Sequence, residues 1–96
     1  MLTNTFSACC GNKQNVSIVV NFLLSLKFKK LTVNSNRVDA IFNCDTIKEQ
    51  IETLFDKIPY KENLHFQLLI EDEENHKLDY YKCDKNGWYK VIMTIL

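Results

Sequence analysis

Asn86-Gly87 lies between two alternating runs, Leu78 to Lys85 and Trp88 to Ile95, and no other dipeptide restricts the fold as much. A type I′ hairpin needs positive φ at both central residues, and Asn-Gly supplies this at the least steric cost. A two-residue loop here sets Lys85 opposite Trp88, Lys82 opposite Val91, Tyr80 opposite Met93 and Leu78 opposite Ile95. One face then carries Leu78, Tyr80, Val91, Met93 and Ile95, with the stem of Lys82 among them. A four-residue loop, Asp84 to Gly87, keeps the same faces, whereas a one-residue slip mixes them.

The preceding run strengthens the expectation of a meander. Leu64, Phe66, Leu68 and Ile70 alternate with His65, Gln67 and Leu69. Pairing Ile70 with Leu78 and Leu68 with Tyr80 joins the two apolar rows on one core face. The same register sets Glu71 opposite Lys77 and Asp72 near His76, with Glu73-Glu74-Asn75 as the loop. Opposite charges directly across an antiparallel pair favour that register by about 0.2–1 kcal/mol.

Earlier in the chain, residues 2–9 form a candidate strand with Leu2, Asn4, Phe6 and Ala8 on one side, and Gly11-Asn12 breaks it. Val16, Val19, Val20, Leu23 and Leu24 recur at helical spacing, widened by Ile18 and Phe22. The β-branched run also suits a strand, but its length and an Asn15 N-cap favour a helix from Asn15 to Leu26. Phe28–Val33 and Arg37–Cys44 make a second hairpin around Asn34-Ser35-Asn36, with Val33 opposite Val38 and Leu31 opposite Ala40. In a second helix, Thr46 with Glu49 forms a capping box, or Asp45 caps directly. Ile47, Ile51, Leu54, Phe55 and Ile58 share one face, and Pro59 ends the helix at Ile58.

The order is (β)αββαβββ. Two one-sided helices and one-sided strands predict an α+β two-layer sandwich: an antiparallel sheet of five to six strands with both helices on one face. The leading βαββαβ resembles the order of a ferredoxin-like fold with a terminal hairpin added. At 96 residues the chain is read as a single domain, residues 1–96.

Charge narrows the function classes. Twelve basic and twelve acidic residues give no net charge, which argues against a dedicated DNA binder and against an acidic DNA mimic. Cys9, Cys10, Cys44 and Cys83 follow no secreted disulfide framework, and no signal peptide is read ahead of Cys9. Val16 to Leu26 is too short to cross a bilayer. These features predict a cytoplasmic protein with reduced thiols. No residues are assigned to catalysis, to a cofactor or to a metal. His65 and Cys83, as cross-strand neighbours, are the best Cys–His pair on offer, but two ligands do not make a zinc site. A glycine-rich phosphate loop is absent from a chain with two glycines.

The most informative expectation concerns the sheet face opposite the helices. The register above gives it His65, Gln67, Leu69, Asp79, Tyr81, Cys83, Trp88, Lys90, Ile92 and Thr94. Aromatic and aliphatic groups among polar ones mark interaction surfaces. Glu71, Asp72, Glu73 and Glu74 at the neighbouring tip steer a basic partner. Gln67, Leu69, Glu71–Glu74, Tyr81, Trp88, Lys90 and Ile92 are therefore the candidate partner-binding residues. The expected function is a stoichiometric protein-binding module, an inhibitor or immunity protein against a toxin or nuclease. The alternative is an RNA- or DNA-binding module using the open face with Lys27, Lys29, Lys30 and Arg37, although Asp39 stands where an aromatic-Gly motif would be. Self-pairing of the C-terminal strand would make a homodimer.

Overall fold

The computed structural model describes residues 2–92. Its elements are β1 (Leu2–Cys9), α1 (Lys13–Leu24), β2 (Lys30–Asn34), β3 (Arg37–Asn43), α2 (Lys48–Lys57), β4 (His65–Asp72), β5 (Lys77–Asp84) and β6 (Gly87–Val91). The strands form one antiparallel sheet in the order β2-β3-β1-β4-β5-β6. Its first four strands, with α1 and α2 as crossovers, have the split β-α-β order of a ferredoxin-like arrangement, and β5-β6 extends the β4 edge.

Residues 2–9 do form a strand, and it is central to the sheet. Its uneven alternation has a simple cause: Asn4 occupies a fully buried position in line with Phe6 and Ala8. Val38, Ala40 and Phe42 of β3 and Phe66, Leu68 and Ile70 of β4 complete the covered face. Val19 and Leu23 of α1 and Ile51 and Leu54 of α2 pack onto it, so both helices lie on one side. The β2–β3 register is the one expected, Val33 opposite Val38 and Leu31 opposite Ala40, with positive φ at Ser35.

Both helix caps differ from expectation. The first helix starts two residues before Asn15: Asn12 is extended, and its side chain accepts the Asn15 N–H at 2.8 Å. Asn15 itself is buried in the first turn, and its side-chain amide donates to the carbonyls of Cys10 (2.9 Å) and Tyr60 (2.8 Å). For α2 neither the Thr46–Glu49 capping box nor an Asp45 cap forms. Ile47 takes the N-cap position because the core requires its side chain, and Thr46 Oγ1 accepts the Lys48 N–H at 3.3 Å. Ile58 is extended, as the following proline demands.

The main correction is in the β4–β5 register. Leu68 lies opposite Tyr81 and Ile70 opposite Asp79, one residue away from the pairing that joins Leu68 to Tyr80. The cause is the turn. Asp72 pairs with Lys77, leaving a four-residue loop in which His76 has φ of 51°. The Asp72 carboxylate accepts from the backbone N–H and side-chain amide of Asn75, fixing that loop. A one-residue change exchanges faces. Tyr81, Cys83 and Trp88 consequently join the covered side, and Leu78, Tyr80 and Lys82 join the open side. Between β5 and β6 the pairing of Cys83 with Trp88 and Tyr80 with Val91 is that of the longer-loop alternative, so faces within this hairpin are as expected. The expected partners Met93 and Ile95, and Thr94, lie outside the described residues.

Candidate functional site

Helices cover one face of the sheet; the other face is built from odd-numbered residues of β1, β3 and β4 and even-numbered residues of β5. Along β1 it presents the small side chains of Thr3, Thr5, Ser7 and Cys9. A row crosses it in register, Ile41, Thr5, Leu69, Tyr80 and Val91. Leu78 and Tyr89 flank that row and are 47% and 49% exposed. Lys82 lies over the Tyr80 ring at 5.7 Å and Glu71 pairs with Leu78, so charge frames the apolar centre. At the adjoining tip the Asn75 amide holds the Asp72 carboxyl below its ordinary range, which keeps the turn anionic.

The expected partner-binding residues divide into three groups. Gln67, Leu69 and Glu71 are on the open face, and Asp72, Glu73 and Glu74 are at its acidic edge. Tyr81, Trp88, Lys90 and Ile92 are on the helix side, against expectation, because of the register change. There β5-β6 reaches past the helices: Trp88 packs against Phe66 at 5.9 Å, whereas Ile92 is 88% exposed. Tyr81 is bracketed by the ammonium groups of Lys48 (4.9 Å) and Lys90 (5.8 Å), and Lys90 pairs with Asp79 at 3.1 Å. A hydrogen bond to Glu52 raises the Lys48 pKa. Leu2, Ile70, Asp79 and Tyr81 line a cavity of about 270 Å³ beneath Lys48.

The expected His65–Cys83 neighbourhood does not form. Cys83 faces Phe66 and Trp88, 2% exposed, and burial with Asp84 beside it pushes its thiol up to about 12. Instead His65 pairs with Cys9, which is exposed. Cys10 points to the opposite side of the chain and is buried, its thiol pushed up to about 11 chiefly by that burial. All four cysteines are free.

Of the basic residues, Arg37 is held by Asp39 at 3.1 Å, and Asp39 also accepts from Ser7 at 2.6 Å, so its charge is compensated locally. Lys27 and Lys29 edge a cavity of about 400 Å³ beside Phe28 and Asn43, and Lys30 begins the outer strand β2. They form no continuous cationic track across the open face.

Leu78, Tyr80, Lys82 and Val91 are open-face residues that sequence reasoning placed on the core side, and Tyr89, assigned to neither face, joins them. The available cue was the turn, where Asp72 and His76 suit a four-residue loop as well as a three-residue one. Among the described residues no helix is long and apolar enough to cross a membrane. No protein-family model, curated protein or solved structure matches the chain.

Proposed function

We propose that this chain is a small stoichiometric protein-binding module whose partner docks on the uncovered sheet face around Leu69, Tyr80 and Val91. The observation that carries the reading is the in-register row of these three side chains, flanked by the exposed Leu78 and Tyr89. Aromatic anchors gathered within a polar rim are what protein interfaces use. Glu71, Asp72 and Glu73 next to that row favour a partner with an apolar spot beside basic residues. Enzymes that act on nucleic acid have such surfaces. The narrower proposal is therefore an inhibitor or immunity protein that neutralises a toxin or nuclease in the cytoplasm.

A photo-reactive phenylalanine analogue introduced at Tyr80, Tyr89 or Tyr60 in the full chain tests this in host lysate. Tyr60 is 66% exposed and serves as the control, since it lies in the connection after α2. The expected result is one cross-linked protein from Tyr80 and Tyr89, insensitive to nuclease, and none from Tyr60. That protein, once purified, binds the module at a one-to-one ratio and is inhibited by it. Cross-links to nucleic acid would replace this reading with the nucleic-acid alternative, and cross-links to a second copy of the chain would reassign the patch to self-association. Equal cross-linking from all three positions would overturn a specific interface.

A further inference from the structure

Several charged side chains of the sheet and α2 are matched within the chain: Arg37 with Asp39, Lys77 and Lys90 with Asp79, and Lys48 with Glu52. Lys27, Lys29 and Lys30 are not, and neither are Glu71 and Glu73; among the described residues these have no ion-pair partner. Both sets lie at one end of the sheet. Lys27, Phe28 and Lys29 line a groove of about 400 Å³ with Asn43 and Cys44, where β3 ends. Asn43 lies opposite Thr3, and Thr3 opposite Glu71, so two strand spacings of about 4.8 Å set Glu71 about 10 Å across from Asn43. Asp45 follows Cys44 and offsets one of the three lysines, so this corner stays basic. The other corner is the β4–β5 turn, whose loop is fixed by the Asp72–Asn75 contacts.

A chain with no net charge that carries opposite signs on two corners of one end is complementary to a second copy of itself. We propose that it forms a two-fold dimer through this end of the sheet, the β4–β5 turn of each copy seated in the groove lined by Lys27 and Lys29 of the other. An axis between the corners makes both contacts at once and closes the assembly. Phe28, 37% exposed at the groove, adds an apolar contact to the charge pairs. No backbone joins the sheet, which separates this contact from self-pairing of the C-terminal strand. Glu71 and Glu73 also border the row around Tyr80, so self-association and partner docking compete for the turn. That competition rests on the binding reading; the dimer does not.

Sedimentation velocity of the purified full chain, with no other protein present, tests the dimer. Salt is raised from about 0.01 M to about 1 M, which shortens the screening length from about 30 Å to about 3 Å. The expected result is a concentration-dependent dimer at low salt, no larger species, and a dissociation constant at least about tenfold higher at high salt. Glu71→Lys/Glu73→Lys and Lys27→Glu/Lys29→Glu are each expected to be monomeric, because like charges then face each other. An equimolar mixture of the two restores the dimer, since each copy offers the sign that the other lacks, and that recovery also shows that both variants fold. Lys82→Glu/Lys85→Glu makes the same change of net charge away from this end and dimerises as the parent chain does. A parent chain that stays monomeric at every concentration and salt would overturn the proposal. So would charge-reversed variants that dimerise as the parent does, or a mixture of them that remains monomeric.

Discussion

The side-chain amide of Asn15, in the first turn of α1, donates to the carbonyl of Tyr60 at 2.8 Å and so ties the first helix to the connection that follows the second. The same amide donates to Cys10, the residue that leaves β1. One fully buried side chain therefore joins three parts of the chain. Asn15→Ala strands two carbonyls and is expected to cost about 2–3 kcal/mol. Asn15→Asp costs at least as much, because it sets a carboxylate against those oxygens. Asn12→Ala removes only a cap, about 1 kcal/mol. Urea denaturation midpoints of the three variants check that order.

Adjacent tyrosines on β5 have different fates. Tyr81 packs against the core beneath Lys48, and Tyr80 lies on the open face beside Leu69. Tyr81→Ala is expected to lose about 2–3 kcal/mol of stability. Tyr80→Ala changes stability by less than about 1 kcal/mol but weakens partner binding about tenfold or more. Paired melting and affinity measurements decide it, and the opposite assignment would mean that the register is shifted by one residue.

Those two residues also show where the sequence is legible. The rows Phe66-Leu68-Ile70 and Val38-Ala40-Phe42, and the stripe Ile51-Leu54 on α2, could be assigned to the core because their other sides are more polar. On β5 and β6 both sides are mixed: Leu78 and Tyr80 compete with Tyr81 and Cys83, and Tyr89 and Val91 with Trp88 and Ile92. Hydrophobicity then cannot choose a face, and the choice passes to the loop from Glu73 to His76, whose left-handed His76 adds the residue that exchanges them. Asn15 misled for another reason. Its polarity suggests a cap, whereas tertiary packing buries it and leaves the cap to Asn12.

Asn4 is fully buried between Phe42 and Ile70, and neither its amide nitrogen nor its oxygen has a hydrogen-bond partner among the described residues. Unpaired buried polar atoms cost about 1–3 kcal/mol, and a β-branched replacement also suits a central strand. Asn4→Val is expected to stabilise the chain by about 1–3 kcal/mol, raising the melting temperature by roughly 4–8 °C per kcal/mol. A lower melting temperature would show that the amide is satisfied in solution.

Gly11 turns the chain from β1 into α1 with φ of +82°, and a Cβ there would stand 2.9 Å from the Glu62 carbonyl oxygen. Backbone cannot yield as a side chain would, so Gly11→Ala combines left-handed strain with a collision and is expected to cost about 2–4 kcal/mol. Gly87→Ala, at φ of +111° with open space around it, carries the strain alone and costs less. Comparing the two unfolding free energies isolates the close approach at Gly11.

The buried thiols make stability fall at alkaline pH. Cys10 and Cys83 are protonated in the fold up to about 11 and about 12, against an ordinary value of 9.0. Above 9.0 the unfolded chain gives up these protons while the folded chain keeps them, so unfolding gains with rising pH. Each thiol contributes its full stabilisation below pH 9 and loses about 1.4 kcal/mol per pH unit above it, until its folded-state value is reached. Tyrosine and lysine titrate in the same range, so the informative quantity is a difference. Between pH 8 and pH 10.5 the parent chain is expected to lose more stability than Cys83→Ala, by about 1–2 kcal/mol. Parallel stability curves for the two would place the Cys83 thiol in contact with solvent, and with it the packing of β5 against Phe66 and Trp88.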